Sequence, residues 1–120
     1  MSDKLKIGLG DARETAQGFI EAWRRAEQGE RPAEPEQVLH FADLETLLRT
    51  LTPVRWVLLR VLRTGGPCSV RELARRVGRD YKNVHSDVKA LERLELITRT
   101  AVGEIQVPWE TVLAEMKLAA

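Results

Sequence analysis

Two capped amphipathic helices joined by a short turn over 69–96, followed by an alternating apolar segment over 97–107, predict the fold class of this 120-residue chain. The expectation is mainly α with a small β wing: a winged helix-turn-helix domain carrying an N-terminal strand–helix extension. Residues 1–37 form the extension and a linker in this reading, and 38–120 form the winged domain. That length suits one domain with an appendage.

Lys4-Leu-Lys-Ile-Gly-Leu9 alternates polar and apolar residues, as a short strand does. Asp11 with Glu14 reads as a capping box opening a helix over about 12–28. Ala16, Phe19, Ile20, Trp23 and Ala26 lie along one stripe of it, and Gly29 is placed to end it. Residues 30–37 hold two prolines and three acids and read as a linker. Val38 to Phe41 suits a short strand, and Asp43 caps a short helix bearing Leu44, Leu47 and Leu48. Thr52-Pro53 starts the next helix: Thr caps, and Pro lacks an N–H only where none is needed. Val54, Val57, Leu58, Val61 and Leu62 follow at helical spacing until Gly65-Gly66-Pro67.

Ser69 with Glu72 forms a further capping box and opens the first helix of the pair. Leu73, Ala74 and Val77 brace it against the second, and Gly78 supplies the positive φ of the turn. Asp80 caps the second helix, whose buried side carries Val84, Val88 and Leu91. Beyond Leu96, residues 97–107 alternate around a Val-Gly-Glu turn, as a wing hairpin would. Residues 109–118 suit a closing helix with Trp109, Val112, Leu113 and Met116 inward.

The net charge of +1 conceals an uneven distribution. Residues 53–100 hold eleven Lys and Arg against five Asp and Glu, while the rest of the chain is net acidic. Such a segment favours a polyanion. At about 100° per residue, Lys82, Ser86, Lys89 and Arg93 point away from the apolar side of the second helix. Asn83 and His85 flank that face, and Tyr81 stands at its entrance. Asn pairs bidentately with adenine, Lys donates to guanine, and Ser or His donates to bases or phosphates. Lys82, Asn83 and Ser86 are therefore the base-reading candidates, near the start of the recognition helix. Tyr81, Lys89, Arg79 and Arg71 are assigned to phosphates, and Arg99 at the wing to backbone or minor groove. The partner expected is double-stranded operator DNA. The alternative from another class is a winged-helix protein–protein interaction module without specific DNA binding.

Arg-Asp-Tyr-Lys-Asn-Val-His-Ser-Asp-Val-Lys-Ala-Leu-Glu-Arg-Leu-Glu-Leu-Ile (79–97), preceded by the Leu-Thr-Pro of 51–53, resembles prokaryotic MarR-like winged-helix regulators. The similarity extends over about 38–108. Members of that group include transcriptional regulators and antitoxins of type II toxin–antitoxin pairs. The resemblance implies binding to operator DNA as a homodimer, autorepression, and a toxin protein as partner where a toxin gene adjoins. The chain is shorter than larger MarR-type regulators and has no evident effector pocket.

Other signals carry less. His40 and His85 fall in different elements without metal-ligand spacing, so neither a metal nor any cofactor is expected. Cys68 is the sole cysteine, which excludes an internal disulfide and reads as an ordinary thiol near a turn. Gly8 and Gly10 lack the lysine and spacing of a phosphate loop. No catalytic constellation can be assembled, so the chain is not expected to be an enzyme. Without a signal peptide or an apolar run of spanning length, the expected location is the cytoplasm, with no membrane partner. The stripe Phe19, Ile20 and Trp23 must dock either on its own domain or at a dimer or partner interface.

Overall fold

The computed structural model describes residues 3–10, 20, 21, 23, 24, 27–29 and 37–114. They fall into two compact units, Met1–Arg49 with Thr111–Ala120, and Thr50–Glu110. The Asp11–Glu14 capping box, Phe19, most of the 30–37 linker and Met116 lie outside the described residues.

The first unit is built on a three-stranded sheet of order β2-β1-β5. Strand β1 (Lys4–Leu9) is central, and β2 (Gln37–Phe41) and β5 (Thr111–Ala114) flank it. Both pairings are parallel, with Ile7 opposite Leu39 on one side and Ala114 on the other. The period-2 alternation read in the sequence sends Leu5 and Ile7 to the buried face of β1. Ile20, Glu21, Trp23, Arg24 and Glu27 are helical, in the stretch of chain between β1 and β2. After β2 comes helix α1 (Leu44–Thr50), with Leu47 buried. Asp43 caps it, its Oδ1 accepting from Thr46 N–H at 2.8 Å and Thr46 Oγ1 at 2.6 Å. Those bonds hold the Asp43 carboxyl below its ordinary pKa.

This sheet overturns the fold class expected from the sequence. The chain is not mainly α with a small β wing and a strand–helix extension. Parallel strands from distant parts of the sequence make a sheet, and the described residues also hold helices and a separate antiparallel pair. The closing helix expected over 109–118 is also absent from its start: Thr111–Ala114 is β5, paired with Lys4–Ile7. Pairing with β1 satisfies the backbone groups of Thr111–Ala114 in the sheet, and this outweighs a short apolar spacing that fits helix and strand alike.

In the second unit, α2 (Pro53–Gly65) starts as its sequence indicates, with Pro53 in the first turn and Thr52 Oγ1 accepting from Arg55 N–H. Its buried residues are Leu58, Leu59 and Leu62, whereas Val54 and Val57 are exposed. The packed stripe is thus rotated from the one the spacing suggests. Helix α3 (Val70–Val77) follows, with Ser69 Oγ accepting from Glu72 N–H at 3.1 Å. The reciprocal arm of the expected capping box is diverted: the Glu72 carboxylate takes Arg75 at 2.6 Å and Arg76 at 3.4 Å.

Gly78, at φ 65° and ψ 37°, ends α3 in the left-handed region. Gly78 N–H reaches the Arg75 carbonyl and Arg79 N–H the Ala74 carbonyl, the paired bonds of a Schellman end. Helix α4 (Tyr81–Arg93) begins after Asp80, whose side chain makes no capping bond, contrary to expectation. The far end of α4 repeats the bonding, Glu95 N–H to Glu92 and Leu96 N–H to Leu91, but with Glu95 at φ 61° where glycine is usual. Trp109 Nε1–H donates to the Glu95 carbonyl at 3.1 Å.

Leu73 of α3 and Val84, Val88 and Leu91 of α4 are fully buried, as are Leu58, Leu62, Leu96, Ile97 and Ile105. Strands β3 (Thr98–Arg99) and β4 (Ile105–Gln106) form an antiparallel pair, and Cys68 exchanges two backbone bonds with Ile105. This hairpin is thereby tied to the residue just ahead of α3.

Candidate nucleic-acid interface

Because Val84, Val88 and Leu91 are drawn fully inward, the opposite face of α4 must stand in solvent. Lys82, Asn83, Ser86, Lys89 and Arg93 are all exposed. Lys82, Lys89 and Arg93 enter no ion pair among the described residues. Their charges are available to an outside anion.

At the start of α4 the structure gathers three of the expected contact residues. The Arg71 guanidinium lies 4.7 Å from the centroid of the Tyr81 ring, a cation–π contact from α3 to α4. His85, one turn on, packs against the same ring at 5.7 Å between centroids. The Tyr81 ring thus meets a guanidinium from α3 and an imidazole from its own helix.

Arg79 and Arg99 are placed differently from the sequence reading. Arg79 turns inward, its Nη2 3.0 Å from Asp87 Oδ2, and its Nη1 is buried without a partner. Arg99 pairs with Glu92 at 2.8 Å and donates to the Gly103 carbonyl at 3.1 Å, bracing the hairpin tip against α4. Both guanidiniums are engaged within the protein.

The chain matches the family HVO_A0114 over residues 50–114. It belongs to that family. No match is found among curated proteins or among solved structures. The HVO_A0114 match contains all of α2, α3, α4 and the β3–β4 hairpin, and so every residue of the interface.

Two participants in this HVO_A0114 chain were missed from sequence. Asp87 accepts from Arg55 Nε at 3.1 Å as well as from Arg79. An acid one turn after Val84, beside the apolar stripe of α4, is itself a signal that a cation must meet it. Elsewhere on the helix pair, hydrogen bonding from Arg75 lowers the Glu72 carboxyl to about 2. Burial raises the Cys68 thiol above its ordinary value. Of the N-terminal stripe, Ile20 and Trp23 are 47% and 61% exposed, with Trp23 Nε1–H bonded to Glu27. Among the described residues, no cluster of His, Cys, Asp and Glu could hold a metal ion, and no helix is long and apolar enough to cross a membrane.

Proposed function

We propose that this chain is a sequence-specific DNA-binding transcriptional regulator that reads the major groove with α4. The observation that carries the reading is the exposed polar face of Lys82, Asn83, Ser86 and Lys89 on a helix whose other side is wholly buried. A 13-residue helix is about 20 Å long, and B-DNA's major groove, about 12 Å wide, admits one. Lys82, Asn83 and Ser86 face base edges in this arrangement. Lys89 and the Arg71–Tyr81 pair, with His85 behind it, face phosphates. The target is operator DNA in the cytoplasm, read by two subunits on half-sites about one helical turn apart. Autorepression is the regulatory role, with a toxin protein as a further partner where the neighbouring gene encodes one.

The test is fluorescence anisotropy on the protein's own upstream duplex and on a scrambled duplex, across a salt series. Lys82→Ala and Asn83→Ala should each weaken specific binding by about 1–3 kcal/mol and leave scrambled binding nearly unchanged. Lys89→Ala should weaken both and reduce the salt slope by about 1. Equal, weak binding of the wild type to both duplexes would discard the regulator in favour of a protein-interaction module.

A further inference from the structure

The Arg55–Asp87–Arg79 cluster joins three elements through one carboxylate. Asp87 lies on the shoulder of α4 with its side chain 16% exposed. Oδ1 takes Arg55 from the first turn of α2, and Oδ2 takes Arg79 from the turn between α3 and α4. Arg55 is secured further by donating Nη1–H to the Thr50 carbonyl at 2.7 Å. The arrangement withdraws two guanidiniums from the surface and fixes α4 against both the helix and the turn that support it.

For a protein that reads DNA, this has a consequence. A mobile arginine near the duplex binds any phosphate, whatever the base sequence, and so adds affinity equally to right and wrong sites. Base readout instead depends on the rotation of α4, which sets how Asn83 and Ser86 meet base edges.

We propose that Asp87 is a specificity-determining, positioning residue: it holds Arg55 and Arg79 away from the phosphate backbone and sets the angle at which α4 enters the groove. The proposal rests on the DNA-binding reading above. Asp87 itself touches no base.

The test is Asp87→Asn in the full chain, with the same two duplexes and salt series. The substitution preserves shape and removes the charge that retains the arginines. On scrambled DNA the slope of log affinity against log salt should steepen by about 0.9 for each arginine released, up to about 1.8. The ratio of specific to scrambled affinity should fall about 5- to 150-fold, the cost of one mismatched base contact. Adding Arg79→Gln to Asp87→Asn should reverse about half of the steepening, which a loss of fold stability alone would not produce. A folded Asp87→Asn variant with unchanged slope and unchanged ratio would overturn the proposal. If Asp87→Asn fails to fold, Arg79→Gln alone decides. An unchanged slope on scrambled DNA supports the withdrawn arginine, and a slope shallower by about 0.9 refutes it. Wild-type protein with no preference between duplexes would sink the DNA reading itself, and that outcome is distinct from discrimination that survives Asp87→Asn.

Discussion

Replacing Gly78 by Ala isolates the backbone chemistry of the turn that aims α4. A Cβ built at Gly78 meets nothing within 4 Å, so the substitution introduces no clash. The whole effect must then come from placing an L side chain at φ 65°, ψ 37°. Left-handed backbone costs a non-glycine residue about 1–2 kcal/mol. Alanine also restricts the unfolded chain, which offsets about 0.4–1 kcal/mol. The net loss is about 1 kcal/mol, or about 4–8 °C in Tm for a unit of this size. The mirror experiment lies at the other end of α4, where Glu95 holds φ 61° in the same bonding pattern. Glu95→Gly should gain a similar amount by the same reasoning run in reverse. Thermal and urea unfolding followed by circular dichroism measure both changes, with Gly78→Asn expected between wild type and Gly78→Ala, since Asn tolerates this region better. No loss in Gly78→Ala, or a loss in Glu95→Gly matching it, would refute the assignment of the energy to backbone conformation.

Three further outcomes follow from local chemistry. Trp109→Phe retains an apolar ring but removes the N–H that holds the Glu95 carbonyl, and should cost about 1 kcal/mol in urea unfolding; an unchanged midpoint would mean the bond contributes nothing. The Glu72 carboxyl is lowered from 4.5 to about 2, so its pairing with Arg75 favours the fold above pH 4.5 and is lost as pH falls toward 2. The Tm gap between wild type and Glu72→Gln should therefore be small but present at pH 7, shrink with added salt, and close near pH 2; a gap constant across that range would contradict the pairing. Cys68 is buried and its thiol is raised, so iodoacetamide at pH 8 should modify it slowly in the folded protein and promptly in denaturant. Rapid native-state labelling would show that the Cys68–Ile105 junction opens readily.

The helices of the second unit were legible because local signals mark the starts of α2 and α3 and the turn into α4. Thr52-Pro53, Ser69 and Gly78 act within one turn of where they stand, and the apolar spacing of Leu73, Val84, Val88 and Leu91 announces the buried side of the helix pair. The exposed face of α4 followed from the same periodicity. The sheet was not legible as a sheet. Lys4–Leu9 and Val38–Phe41 each read as a short strand, but nothing local states that both lie parallel to each other and, for Lys4–Leu9, to Thr111–Ala114. The spacing of Trp109, Val112, Leu113 and Met116 fits a helix, and only the distant partner β1 makes Thr111–Ala114 a strand. The arginines failed for a related reason. The basic character of Arg79 and Arg99 is visible in sequence, but the acids that engage them, Asp87 and Glu92, sit about two turns away on α4. Charge counting over 53–100 therefore overstated the number of cations free to meet an anion.

The pairing of Lys4 with Thr111 gives the molecule an order of assembly during synthesis. Thr50–Glu110 is contiguous in sequence and built largely from neighbours, so it can fold without waiting for Thr111–Ala114. The central strand of the other unit, Lys4–Leu9, is synthesised long before one of its two partners, Thr111–Ala114. Between those moments Leu5 and Ile7 belong to a strand with an unpaired side, the kind of surface on which nascent chains associate wrongly. A pause in elongation between Phe41 and Thr111 would lengthen that exposure and lower the yield of native protein.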